Sequence, residues 1–99
     1  MTKRTKATSI SGEVKRIVYA RDGGECIFCH APGNPEAHAL PRSKGGLGVK
    51  ENIVTVCRPC HYEMDNGPCR AEFREAARNY LRKFYEEDAV IKYSKGGIG

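Results

Sequence analysis

Four cysteines in two CxxC pairs constrain this chain more than anything else in it. They are Cys26-Ile-Phe-Cys29 and Cys57-Arg-Pro-Cys60, with residues 30–56 between them. Each two-residue gap allows a tight turn that points both sulfurs at one ion. Four thiolates suit zinc, which is redox-inert and takes tetrahedral geometry without strain. The separation exceeds the ~15–20 residues of a zinc ribbon, so a substantial element stands between the two turns. A chain of 99 residues is one domain at most, and a core that small gains from such a staple.

Other readings of the cysteines fit less well. One CxxC can be a redox pair, but two in one short chain argue for shared ligation. The N-terminal Met1-Thr-Lys-Arg-Thr-Lys is basic with no apolar stretch behind it, so a cytoplasmic setting is expected, where disulfides are disfavoured. Each pair is followed by a histidine, His30 and His61, which makes two CxxCH signatures of c-type haem. Two haems would need export and a second axial ligand each, and His38 is the one histidine left. Cys69, four residues before Phe73, is expected to be a small buried hydrophobe on a helix face.

The hydrophobic share of 39% and charged share of 29% describe a globular chain. No run of ~18 apolar residues is present, so no membrane span is expected. Lys and Arg number 17 against 12 Asp and Glu, a formal +5, which favours a polyanionic partner, nucleic acid first. Residues 1–9 read as a flexible basic arm, 10–90 as a single domain and 91–99 as a flexible tail. A helix is expected over 11–21, with Val14, Ile17 and Val18 on one face and Asp22-Gly23-Gly24 stopping it. A turn follows at 31–35, a short strand at 36–40, and a loop at 42–50 whose Gly45-Gly46 suits a positive-φ turn. Ile53-Val54-Thr55-Val56 is a β-branched strand. One or two helical turns are expected over His61–Asp65. After Asn66-Gly67-Pro68, a helix carries Phe73, Ala76, Ala77, Tyr80, Leu81, Phe84 and Tyr85 on its apolar face. Arg70, Arg74, Arg78 and Arg82 form a stripe beside that face. A solvated flank is the favoured reading of it, a phosphate-contacting ridge the other.

The segment between the cysteine pairs carries the chemistry. His38 on a strand and His61 after a metal-binding turn are both held rigidly. Asp65 is four residues past His61, so on a helix the two point the same way and can grip one metal ion. Asn52 precedes the second strand and can fasten the loop carrying His38. Arg42, Lys44 and Arg58 supply cations nearby. The set suits metal-assisted phosphodiester hydrolysis.

The two CxxC pairs, the stretch His38-Ala-Leu-Pro41-Arg42-Ser-Lys44-Gly45-Gly46, the stretch Glu51-Asn52-Ile-Val-Thr-Val-Cys57-Arg-Pro-Cys60-His61, and Asp65 occur in that order. In this Cys26–Asp65 region the chain resembles the HNH endonucleases of the ββα-metal, or His-Me finger, class. The resemblance implies an α+β fold, a small zinc-stapled ββα-metal unit with flanking helices, in which Cys26, Cys29, Cys57 and Cys60 hold a structural Zn²⁺. It implies His38 as general base, Asn52 as brace, and His61 and Asp65 as ligands of a catalytic divalent ion (Mg²⁺, Mn²⁺ or Ni²⁺). It implies DNA as substrate, with 5′-phosphate and 3′-hydroxyl products. Small phage-encoded members, some associated with DNA packaging, are nearest in size and layout, which implies a bacterial host cytoplasm and the packaging machinery as a partner. One position departs from the pattern. Many members place Asp or His, a metal ligand, just before the general base, where this chain has Ala37. Glu36 is expected to share the face of His38, because neighbouring strand residues point opposite ways. The rival expectation is a non-enzymatic zinc-ribbon module that binds DNA or protein. It accounts for the cysteines and the charge but not for the spacing of His38, Asn52, His61 and Asp65.

Overall fold

The computed structural model describes residues 9–86. The basic arm up to residue 8, the segment 87–90 and the tail 91–99 lie outside the described residues. In chain order the elements are helix α1 (Gly12–Asp22), strand β1 (Asn34–His38), a 3₁₀ turn (Arg42–Lys44), strand β2 (Ile53–Val56), helix α2 (Arg58–Asn66) and helix α3 (Arg70–Leu81). The architecture is α+β: one two-stranded antiparallel sheet and three α-helices among the described residues. None of these helices is long and apolar enough to cross a membrane.

Local chemistry sets each boundary. The Ser11 hydroxyl caps α1 by accepting from the Val14 amide at 3.1 Å, and Gly23, at φ 67°, ends it in the left-handed conformation. The apolar pattern puts Ile17 on the buried face beside Val18. Val18 is buried, but Ile17 is 42% exposed, because only a narrow stripe of α1 faces the sheet. Asp22 ties the helix end to the rest. Its carboxylate takes Arg21 Nε at 2.7 Å, the Thr55 amide at 2.9 Å and the Tyr80 hydroxyl at 2.8 Å. Arg21 also donates to the carbonyls of Lys50 and Ile53.

Strand β2 falls where its β-branched run predicts, and all four of its residues are buried. Strand β1 begins and ends two residues earlier than expected. Its register pairs Asn34 with Val56, Ala37 with Val54 and His38 with Ile53. Beyond His38 the regular ladder gives way to Asn52. The Ala39 amide donates to the Asn52 carbonyl, and the Leu40 amide to the Asn52 side chain.

The core joins Cys26, Ala37, Val54, Val56, Met64, Ala77 and Leu81, with Phe28, Phe73, Tyr80 and Tyr85 packed against it. Phe28 of the first cysteine turn meets Phe73 of α3 edge to face at 4.9 Å. The apolar face of the last helix is therefore as expected at Phe73, Ala77, Tyr80 and Leu81, while Phe84 is 46% exposed beyond the helix end. Cys69 corrects an expectation. It is exposed, because Gly67-Pro68 turns the chain and α3 begins only at Arg70, leaving Cys69 ahead of the helical face.

Candidate metal centre and active-site cavity

The two cysteine turns meet. The Sγ atoms of Cys26, Cys29, Cys57 and Cys60 all lie within 4.8 Å of one another, and those of Cys29 and Cys57 are 3.5 Å apart. Tetrahedral Zn–S bonds of about 2.3 Å require sulfurs about 3.8 Å apart, so the set fits a metal ion such as zinc. The first turn sits on β2, with the Ile27 amide donating to the Thr55 carbonyl at 3.0 Å. Cys57 directly follows β2 and opens α2. Burial pushes the Cys26 thiol up, but the backbone amides around it outweigh burial and bring it down to about 7. Cys60 is pushed well above the usual thiol range, by burial first and then by donating to its neighbour cysteines. A metal ion binds cysteines as thiolates, so loading this cluster releases protons.

A second constellation lies apart from these sulfurs. A cavity of about 940 Å³ is lined by Glu36 and His38 of β1, Arg42 and Lys44 of the 3₁₀ turn, His61 and Asp65 of α2, and Arg70, Arg74 and Arg78 of α3. His38 and Glu36 share this face, whereas Ala37 between them is fully buried in the core. The two-residue period of the strand makes this so. His61 Nε2 and Asp65 Oδ2 are 3.3 Å apart, one helical turn removed, and both are part-exposed. They are adjacent nitrogen and oxygen atoms open to solvent, and the other Asp65 oxygen is held by Arg74 at 2.7 Å.

Asn52 is fully buried. Its Oδ1 accepts from the Leu40 amide at 2.9 Å. Its Nδ2 donates to the carbonyls of Leu47 at 3.0 Å and Leu40 at 3.3 Å. One side chain therefore closes both ends of the loop that follows His38. Gly45 turns that loop at φ 86°, and a Cβ at Gly46 would strike the Leu40 carbonyl.

Of the expected DNA-contacting residues, Arg42 and Lys44 line the cavity. Arg58 is exposed on the first turn of α2 and is not among the lining residues. Of the arginine stripe, Arg70 is exposed and Arg78 half-buried, and Arg74 is 15% exposed. Arg70, Arg74 and Arg78 form a cavity wall, and Arg82 turns instead to Asn79 at 2.6 Å. With Lys15 on the rim, six basic side chains face two carboxylates, and both carboxylates are paired: Glu36 with Lys15 at 3.6 Å, Asp65 with Arg74 at 2.7 Å. The sequence places Arg74 in the arginine stripe without distinguishing it from its neighbours. An i, i+4 spacing makes the four arginines look alike, and burial and its acceptors set Arg74 apart. His30 lies outside the cavity, largely exposed at φ 68°.

Compared with models of protein families, with curated proteins and with solved structures, the chain matches none.

Proposed function

We propose that the protein is a metal-dependent DNA endonuclease in which β1, β2 and α2 form a ββα-metal site and the four cysteines hold a structural zinc. The observation that carries this reading is the meeting of His38 from the strand and His61 and Asp65 from the helix in one cationic cavity, with Asn52 fastening the loop after His38. The order and spacing of these residues in the sequence support the same assignment.

His38 acts as general base. It draws a proton from a water that attacks the scissile phosphorus, a role suited to an imidazole near neutral pH. The P–O3′ bond breaks, the leaving oxygen takes a proton from solvent, and the ends are 5′-phosphate and 3′-hydroxyl. His61 and Asp65 would hold the divalent ion. When bound, that ion supplies positive charge that stabilises the transition state and the departing oxygen. Ala37 offers no donor atom, so His61 and Asp65 would be the protein's share of the ligands, a sparse protein ligation that Mg²⁺ accepts. Arg42, Lys44, Arg70 and Arg78 hold the phosphate backbone. Contacts of that kind position DNA without reading its sequence, so cleavage has low sequence specificity.

The test is supercoiled plasmid incubated with zinc-loaded protein and Mg²⁺, Mn²⁺ or Ni²⁺, beside EDTA and His38→Ala controls. Conversion to open circle or linear DNA, abolished by both controls, is expected. DNA binding that survives in His38→Ala, with no cleavage by the wild type under any metal, would replace the enzyme with a zinc-bearing DNA-binding module.

A further inference from the structure

We propose that Arg74 is a positioning residue that sets His38 against the His61–Asp65 pair, an inference that rests on the endonuclease reading above. Its guanidinium reaches both halves of the site. Nη1 donates to the carbonyl of His38 at 2.8 Å and to that of Ala39 at 3.2 Å. Nη2 donates to Asp65 Oδ1 at 2.7 Å. The other oxygen of the same carboxylate faces His61 Nε2 at 3.3 Å. A continuous path thus runs from the backbone that carries the base, through Arg74 and Asp65, to His61.

Three features make this a strut rather than a phosphate contact. The Arg74 side chain is only 15% exposed, whereas Arg70, one turn before it, is exposed. Its bonds go to two carbonyls and a carboxylate within the fold, which fixes the guanidinium's plane. A planar fork is also what such a site needs, because two diverging nitrogens must satisfy acceptors on different elements. The lysine ammonium is a point donor on a flexible stem and cannot hold both sides in one geometry. In-line hydrolysis requires the base, the water and the ion to stand in register, and a displacement of about 1 Å can lower turnover about a hundred-fold.

Two measurements on full-length, zinc-loaded protein test the proposal. The chain has three histidines, so ring-resolved NMR reads the site whether or not the protein cuts DNA. Arg74→Lys is expected to shift or broaden the His38 and His61 ring signals and to leave His30 in place. Unmoved His38 and His61 signals would overturn the strut. The second measurement is steady-state nicking of supercoiled plasmid with Mn²⁺. Arg74→Ala is expected to lose about a hundred-fold in kcat, with KM and the salt dependence of duplex binding unchanged, and to recover part of its kcat when guanidinium is added. Arg74→Lys carries the same measurement should the alanine variant not fold. A loss in KM together with a salt slope lower by about 0.9 would make Arg74 a phosphate contact and overturn the proposal. A wild type that does not cut counts against the nuclease reading alone, and the ring signals still decide the strut.

Discussion

The side chain of Asn52 pairs with the backbone of Leu40 in both directions, accepting from its amide at 2.9 Å and donating to its carbonyl at 3.3 Å. A side-chain amide here copies the reciprocal bonds of an antiparallel strand pair and extends the hold of β2 past the end of β1. Asn52→Ala leaves the part-buried Leu40 amide and two carbonyls short of partners, and part of that loss is made good by water. A decrease of about 2–3 kcal/mol in denaturant unfolding is expected, together with loss of plasmid cleavage. Asn52→Asp keeps the acceptor but turns a donor into a charge facing two carbonyls. Its carboxyl pKa is therefore raised in the folded state. Stability missing at neutral pH is expected to return as pH falls and the protonated acid donates again. A melting temperature of Asn52→Asp that does not rise on acidification, relative to wild type, would refute this role for the side chain.

The cysteine cluster gives a second prediction. Binding of zinc by small peptides contributes on the order of 10–16 kcal/mol, as much as the whole stability of an ordinary domain, about 5–15 kcal/mol. The core is small, and two of the four cysteines belong to it, so metal and fold are expected to be lost together. One zinc per chain should be found by elemental analysis, and chelation should abolish the cooperative melting transition followed by circular dichroism. Cys57→Ser should do the same, because Cys57 both joins the cluster and opens α2. Cys69→Ser, exposed and outside the cluster, should change neither zinc content nor melting. A stripped protein that still melts cooperatively at the same temperature would reduce the metal to an ornament of the fold.

Much of this arrangement is legible from residue types alone, and the exceptions have physical causes. The β-branched run 53–56 and the 3.6-residue apolar period after residue 70 report burial, which local pattern encodes directly. The facing of His38 and Glu36 away from Ala37 follows from the strand's two-residue period. The contacts that sequence could not supply all depend on three-dimensional neighbours. Arg21 and Asp22 look like an ordinary charged helix end, yet they bind β2 and Tyr80. Strand β1 stops early because its pairing passes from the backbone of Asn52 at Ala39 to the Asn52 side chain at Leu40. Arg58 sits close to His61 in sequence but on another part of the surface. Arg74 is told apart from Arg70 and Arg78 by its burial and by the acceptors that surround it.

Tyr80 couples stability to alkaline pH. Burial first, and then donation of its hydroxyl to the Asp22 carboxylate, push the phenol up to about 12. The folded state therefore favours the neutral phenol more than the unfolded chain does, where the pKa is about 10. The contribution is whole below pH about 10 and is lost as pH rises toward about 12. Thermal melts across that window should fall more steeply for wild type than for Tyr80→Phe. Below it the variant should be less stable by about 1 kcal/mol, since Asp22 retains Arg21 and the Thr55 amide. Parallel curves for the two proteins would assign the alkaline loss to other groups.

The last prediction concerns the cavity's cationic wall. Arg70 and Arg78 are two helical turns apart, about 12 Å along the axis of α3, and flank the strut at Arg74. Their ties to the fold are slight. Arg70 donates to the Gly67 carbonyl at 3.1 Å, and Arg78 stands 3.7 Å from Glu75. Neither is expected to matter much for folding, because exposed pairs of this kind contribute about 0–1 kcal/mol. Removing one cation that neutralises a phosphate lowers the slope of log affinity against log salt by about 0.9. Arg70→Ala and Arg78→Ala should each lower that slope by about this amount, and together by about twice it, while leaving the melting temperature near wild type. Arg58→Ala should leave the slope unchanged, since Arg58 does not line the cavity. Duplex binding measured by anisotropy at several salt concentrations reads all these proteins on one scale. A slope that responds to Arg58 and ignores Arg70 and Arg78 would send the DNA across the outer face of α2, away from His38, and would leave the proposed general base without a substrate to act on.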